Sequence, residues 1–402
     1  MNYSEEEVIA YVNEEDVKFI RLAFCDVFGN QKNISIMPDE LPRAFKNGIA
    51  FDASAIKGFG DPVKSDLFLF PEPSTLVPLP WRPEHGSVVQ MFARITYPDG
   101  TPFECDCRNL LKNAIADAKA EGFEFTFGAE EEFYLFLLDE DGKRTDTPCD
   151  EVGYMDIAPE DHGENVRREV CLTLEKMGIR PESSHHEEGP GQNEIDFRYS
   201  DALVAADNTM IFQRVVKTVA SSNGFYADFT PKPLKGAPGN GFHINMSMKP
   251  FGENDTFKKM IAGILHNVKD MSAFLNPTES SYRRLGSKKA PGYITWSEQN
   301  RSQLVRIPAA VGEYRRAELR SPDPLANPYL AFALLIWAAL DGIKEGRELP
   351  EPANVNLYTA DAATLSKYEK LPESYSEACR IASESSFIKE HIPERILTIY
   401  CR

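Results

Sequence analysis

The chain has 402 residues, 42% of them hydrophobic and 26% charged, with a formal net charge of −18. That length allows two or three domains, and the composition is that of an ordinary globular protein. The acid excess argues against a nucleic-acid partner, because phosphate backbones attract basic surface, yet an acidic chain can bind a phosphorylated ligand where cations and a few arginines supply positive charge.

The first residues, with Glu5-Glu6-Glu7, are acidic and lack the apolar core of a signal peptide, and the longest apolar run, Tyr329 to Leu340, is too short to cross a bilayer. A cytoplasmic protein with no membrane partner is expected. The seven cysteines have no metal-type spacing, with Cys105 and Cys107 only two apart, so free thiols are expected rather than disulfides. Residues 16–27 carry the β-branched and aromatic pattern of a strand, followed by a turn at Phe28-Gly29-Asn30. A proline-rich stretch from Pro71 to Pro83, a strand over 87–97 and a turn at Pro98-Asp99-Gly100 complete a first region. An alanine-rich helix begins near Arg108, which places a domain boundary there. Further helices are predicted over 161–178, 201–222, 257–274 and 328–344. The last has Asn327 as N-cap, Pro328 at its first position and Gly346 beyond its end, and its apolar composition marks it as core. Strands and helices grouped in this way predict an α+β fold with an antiparallel sheet.

Several strands carry one chemically matched face. Period-two alternation puts Glu130 and Glu132 together in Phe127–Phe136, and His243, Asn245 and Ser247 together in Gly241–Met248. Glu187 and Glu194 flank a Gly-Pro-Gly turn, and Arg316, Glu318 and Arg320 share a face of one strand. Any one of these would ordinarily be a solvated outer face. As a set on otherwise apolar strands, five glutamates and a histidine would repel one another unless cations held them. Carboxylates with one imidazole suit Mg²⁺ or Mn²⁺ better than zinc, and nearby arginines suit phosphate and carboxylate. Together they point to phosphoryl transfer.

The motifs resemble those of the glutamine synthetase family, type I, along nearly the whole chain. Phe51-Asp-Ala-Ser-Ala-Ile56, Gly128-Ala-Glu-Glu-Glu-Phe133, His185-His-Glu-Glu-Gly-Pro-Gly-Gln-Asn-Glu194 and Thr230-Pro-Lys-Pro-Leu-Lys-Gly236 with Gly239-Asn-Gly-Phe-His243 occur in the family's order. Asn300-Arg-Ser302, Arg306-Ile-Pro308, Glu318-Leu-Arg320 and Asp323–Tyr329 complete the set. The resemblance implies a small N-terminal β-grasp-like domain (1–103), which completes a neighbouring subunit's active site. It also implies a catalytic domain (104–402) with a curved antiparallel sheet flanked by helices. Two or more Mg²⁺ or Mn²⁺ ions per subunit are implied, one held by Glu132, Glu187 and Glu194 and another by Glu130, His243 and Glu318. Gly239, Arg284 and Arg320 match glutamate-binding positions. Glu182, Tyr199, Asn245, Ser247, Arg301, Arg306 and Arg316 match ATP-binding positions, with Arg301 also catalytic. Asp52 and Tyr154 match an ammonium pocket, Asp52 acting across a subunit interface. The implied reaction joins ammonia to glutamate with ATP through an acyl phosphate, in a hexameric ring or a double-ring dodecamer.

Four departures bear on this. The flap reads Arg284-Leu-Gly-Ser-Lys-Lys-Ala-Pro291, one residue short of the family pattern, and Lys289 stands where a glutamate closes the ammonium site. Ala55 replaces a pocket serine, and Pro238 replaces an asparagine of the glycine-rich loop. The sequence ends at Arg402, short of a helical extension. These leave two alternatives beside glutamine synthesis: a γ-glutamyl ligase for a larger amine, or a catalytically weak homologue that senses ligands. Tyr358 resembles a tyrosine adenylylated in some relatives and is read as structural.

Overall fold

The structure, a computed structural model, describes residues 3–60, 63–82, 86–250, 254–310 and 312–402, so Pro83 at the end of the proline-rich stretch lies outside the described residues. The chain forms two compact units, Met1–Leu110 with Leu172–Ile179, and Leu111–Cys171 with Arg180–Arg402.

The first unit begins with helix α1 (Glu5–Glu14), whose N-terminus is closed by a capping box between Ser4 and Glu7. Strand β1 (Phe19–Cys25) falls within the predicted strand, and beyond the predicted turn it pairs antiparallel with β2 (Gln31–Ile36) as a hairpin. Its turn is fixed by Asp26, whose side chain accepts the Phe28 and Asn30 amides while Gly29 takes φ +80°. Helix α2 (Leu41–Asn47) packs on a sheet completed by β3 (Ile49–Asp52), β4 (Asp66–Pro71), β5 (Val77–Pro78) and β6 (Val88–Thr96). The order is β2-β1-β6-β4-β3, with β1 and β6 parallel and the other pairs antiparallel, a β-grasp arrangement.

Helix α3 (Cys107–Ala120) leads to the fifteen-residue strand β7 (Glu124–Leu138), the axis of the second unit. The other strands of this sheet are β8 (Arg144–Pro148), β9 (Pro181–His186), β10 (Gln192–Phe197), β11 (Ser200–Asp201), β12 (Phe225–Asp228), β13 (Phe242–Lys249), β14 (Trp296–Glu298), β15 (Val305–Ile307) and β16 (Ala317–Leu319). Strands β13 and then β12 pair along one edge of β7, while β11, β10 and β8 pair along the other. The predicted antiparallel sheet is mixed at one place, because β14 runs parallel to β15.

Helices α4 (Glu164–Lys176), α5 (Ala202–Ser222), α6 (Asn254–Leu275) and α8 (Pro328–Lys344) lie at the four predicted positions, and the short α7 (Glu279–Arg284) is additional. Asn327 caps α8 by accepting the Tyr329 amide, and Pro328 sits in its first turn. Thirteen of the seventeen residues of α8 are buried, including all from Pro328 to Ala339, as its composition requires. It crosses α6 at Gly263 and Gly342, where an added Cβ on Gly263 would lie 2.0 Å from the Ala338 carbonyl oxygen. Short helices α9 (Ala362–Leu365), α10 (Tyr375–Glu384), α11 (Ser386–His391) and α12 (Glu394–Tyr400) finish the chain. Among the described residues no cysteine forms a disulfide.

The back of β7 is locked to α8 by Phe127 stacked on Phe332, ring centroids 4.3 Å apart and planes within 6°. Phe332→Ala is expected to cost about 3–5 kcal/mol, as for other buried aromatic truncations, and to lower the calorimetric melting midpoint by several degrees. A shift below one degree would show that this stack does not anchor the sheet.

Candidate active site on the carboxylate face of the central sheet

Cross-strand register assembles the polar face. Glu130 on β7 lies opposite His243 on β13 and Asp196 on β10, and Glu132 lies opposite Glu194, which faces His185 on β9. On the far side of β13, Asn245 lies opposite Glu318 on β16, which faces Arg306 on β15. Side chains from distant parts of the chain thus meet because alternate residues share one face.

Glu130, His243 and Glu318, expected together, offer donor atoms within 4.8 Å of one another. Glu132 and Glu187, expected with Glu194, each reach it in a separate set, completed by His243 and by His185 respectively. His185 was given no role from the sequence, although it stands two positions before the motif glutamate Glu187; its Nε2 lies 3.0 Å from that carboxylate. Asp196, also missed, forms a further set with Glu130 and Glu194, and the period-two alternation from Glu194 would have found it.

The electrostatics fit a cation-binding face. Burial and the neighbouring Glu187 charge push Glu132 up to about 7. Burial and Glu130 push Asp196 up to about 6, and burial with several neighbouring carboxylates raises Glu194 well above the usual range. Glu187 moves the other way, because hydrogen bonds from His185 and the Glu188 amide outweigh its burial. Burial and the Arg320 charge hold His243 well below its ordinary value, so the ring is neutral and its nitrogen lone pair is free to bind a cation. The donor set, carboxylates with one or two neutral imidazoles, fits Mg²⁺ or Mn²⁺.

The glutamates are also fixed by hydrogen bonds. The Gly241 amide donates to Glu132 at 2.7 Å and the Gln192 side chain at 3.1 Å. Asn245 donates to Glu130 at 2.6 Å and accepts from Arg316 at 2.9 Å. Arg320 pairs with Glu318, and Arg306 does so at 2.9 Å.

Glu182, Tyr199, Asn245, Ser247 and Arg316 all line one cavity of about 360 Å³, and Glu130 lies on its wall. Ser183, Lys249, Tyr314 and Arg315 line it as well and had no sequence signal beyond their neighbourhood. Arg301 is exposed, and its carbonyl accepts the Tyr358 hydroxyl at 3.0 Å. Arg284 is buried and donates to the Ser321 carbonyl at 2.7 Å and to that of Arg320 at 3.3 Å. Gly239 has no room for a side chain, since a Cβ would come within 2.3 Å of the Pro231 carbonyl oxygen. Pro238 offers its carbonyl to the Tyr134 hydroxyl at 2.7 Å. Tyr154 is half exposed, edge-on to His185 at 5.4 Å. Lys289 takes φ +64° and forms an ion pair with Glu188 at 2.7 Å. Asp52 belongs to the first unit, where its side chain accepts the Ser54 amide and hydroxyl; Ala55 ends that short turn.

Comparison with known proteins decides the family. The family model described as "Glutamine synthetase, catalytic domain" matches residues 104–402, and "Glutamine synthetase, beta-Grasp domain" matches residues 16–98. The chain belongs to the glutamine synthetase family. Glutamine synthetases of Clostridium saccharobutylicum and Methanosarcina mazei are 44% and 43% identical, over 99% of this chain and 93% and 92% of theirs. Among solved structures, a GmaS/ADP complex is 28% identical, with a TM-score of 0.89 over 100% of this chain and 94% of that one. Plasmodium falciparum glutamine synthetase shares the fold at 23% identity, with a TM-score of 0.87 over 100% of this chain and 95% of that one. This is a family of ligases that use ATP and divalent metal ions.

A carboxylate binds a cation only when ionised, and Glu132, at about 7, ionises between pH 6 and pH 8. Mn²⁺ affinity measured by calorimetry is therefore expected to rise about tenfold over that interval, with protons released on binding. Affinity that falls with rising pH would remove these carboxylates from the ligand set.

Proposed function

We propose that the chain is a type I glutamine synthetase, joining ammonia to the γ-carboxylate of glutamate with ATP. The observation that carries this reading is the shared position of Glu130, which lies in the Glu130–His243–Glu318 donor set and on the wall of the cavity lined by Glu182, Tyr199, Asn245, Ser247 and Arg316. A phosphate chain entering from that cavity meets the ligand set directly. The ADP in the GmaS complex named above supports a nucleotide there.

In this reading Glu130, His243 and Glu318 hold one Mg²⁺ or Mn²⁺, and Glu132, Glu187 and Glu194 hold another. Bound cations supply positive charge to phosphate and carboxylate oxygens. Arg284, Arg320 and Gly239 hold glutamate, and the main-chain bonds of Arg284 keep its guanidinium in place before glutamate arrives. The γ-carboxylate oxygen attacks the γ-phosphorus of ATP, the bond to ADP breaks, and Arg301 and Arg306 neutralise the charge on the transferring group. Ammonia then attacks the acyl carbon of the resulting acyl phosphate and inorganic phosphate leaves. Asp52 and Tyr154 bind ammonium, and the Asp52 carboxylate accepts its proton before attack. Asp52 acts from a neighbouring subunit, with residues 1–103 completing the site built by 104–402, in a hexameric or dodecameric ring in the cytoplasm.

Lys289 favours a second reading, a γ-glutamyl ligase for a larger amine. Its ion pair with Glu188 places an ammonium group where the family carries a carboxylate, and like charge weakens capture of NH₄⁺.

Release of ADP with glutamate and Mg²⁺ or Mn²⁺, measured while the acceptor varies, tests these readings together. Ammonium-dependent turnover is expected; turnover with organic amines alone would replace the first reading by the second. Tight ATP binding with no turnover on any amine would mark a sensing homologue. On the first reading Lys289→Glu is expected to lower the ammonium KM about fivefold, the order of 1 kcal/mol for a part-exposed charge. An unchanged KM would remove Lys289 from the amine pocket.

A further inference from the structure

Behind the carboxylate face lies a second polar cluster, Asp150, Asp161, Arg167, His186 and Asn193, all buried. Asp150, Asp161 and His186 have the spacing of metal ligands, but their atoms are already engaged. His186 Nε2 donates to Asp150 at 2.9 Å, and the Gly191 amide donates to the same oxygen at 2.8 Å. Arg167 grips Asp161 through two bonds and also donates to Asn193, whose amide donates to the Gly191 carbonyl at 2.9 Å. Two carboxylates, one guanidinium and one imidazole donating from both nitrogens balance in charge. Such a set is an internal ionic framework, costly to break because any single loss strands a buried charge.

The framework reaches the face through His186. Its Nδ1 donates to the Glu187 carbonyl at 2.6 Å, and its own carbonyl accepts the Met155 amide at 3.0 Å. One residue therefore ties the backbone of Glu187 to the turn that carries Tyr154. Gly191 is held on the same framework, at φ +67°, in the turn between Glu187 and Glu194.

We propose that His186 is a positioning residue for the cation site, its Nδ1 bond to the Glu187 carbonyl setting Glu187 against Glu194 and its own carbonyl coupling both to the Tyr154 turn. The proposal rests on the reading of Glu187 as a metal ligand. Groups that orient metal ligands without touching the ion typically govern affinity by about 10–100-fold.

Two amide replacements separate the bonds of His186. Gln places its nitrogen near Nε2 and keeps the Asp150 bond, whereas Asn places it near Nδ1 and keeps the Glu187 bond. In the full-length chain, folded His186→Gln is expected to bind Mn²⁺ at least tenfold more weakly by electron paramagnetic resonance titration. Folded His186→Asn is expected to bind Mn²⁺ within threefold of the unsubstituted chain. Native affinity in the first, or lost affinity in the second, overturns the proposal. In the unsubstituted chain, Mn²⁺ is expected to slow hydrogen exchange over residues 151–157, and unchanged exchange there also overturns it. Glu187→Gln is the control. If it leaves Mn²⁺ binding intact, the ligand reading itself fails; if it abolishes binding while His186→Gln does not, only the positioning role fails.

Discussion

Carboxylates crowded on one face of a buried sheet repel one another, and most of the second unit is arranged around that repulsion. Glu130, Glu132, Glu194, Asp196 and Glu318 stand on neighbouring strands, with Glu187 just past the end of β9, where water cannot screen them well. The chain answers in two ways. Arg306, Arg320 and the amides of Gly241, Gln192 and Asn245 compensate part of the charge directly. The remainder leaves Glu132, Asp196 and Glu194 reluctant to ionise without a cation. Charge left uncompensated in this way is what makes the face a candidate binding surface rather than an ion-pair lattice.

The opposite face of β7 has the inverse problem and a simpler solution. Phe127 and Phe133 bury themselves against α8 and α5, giving the sheet a stiff backing. Glu131 is the exception on that side: fully buried, pushed up to about 8 by desolvation, and hydrogen-bonded by Gln213. Its neighbours Glu130 and Glu132 point the other way, so three consecutive glutamates have two different fates decided by the pleat alone.

How much was legible in the sequence depended on range. Strand alternation made the Glu130/Glu132 and His243/Asn245 faces readable, and Asn327-Pro328 marked the start of α8, because those signals are local. Register between strands is not local. Nothing in the sequence says that Asp196 meets Glu130, or that Asp150 reaches His186 across 36 positions. The parallel pairing of β14 with β15 was invisible for the same reason, each strand having three residues and no periodicity to read. Asp52 marks a different limit, since a residue proposed to act across a subunit interface leaves no trace in its own chain's contacts.

Glu130 and Glu132 belong to the two proposed ligand sets and sit two residues apart on one unbroken strand. The extended backbone advances about 3.3 Å per residue, so their Cα atoms are about 6–7 Å apart. The strand is thus a ruler. Side-chain evolution can alter which ion binds and how tightly, but the anchor points of the two sites stay at one repeat of the pleat unless the strand itself is bulged or broken.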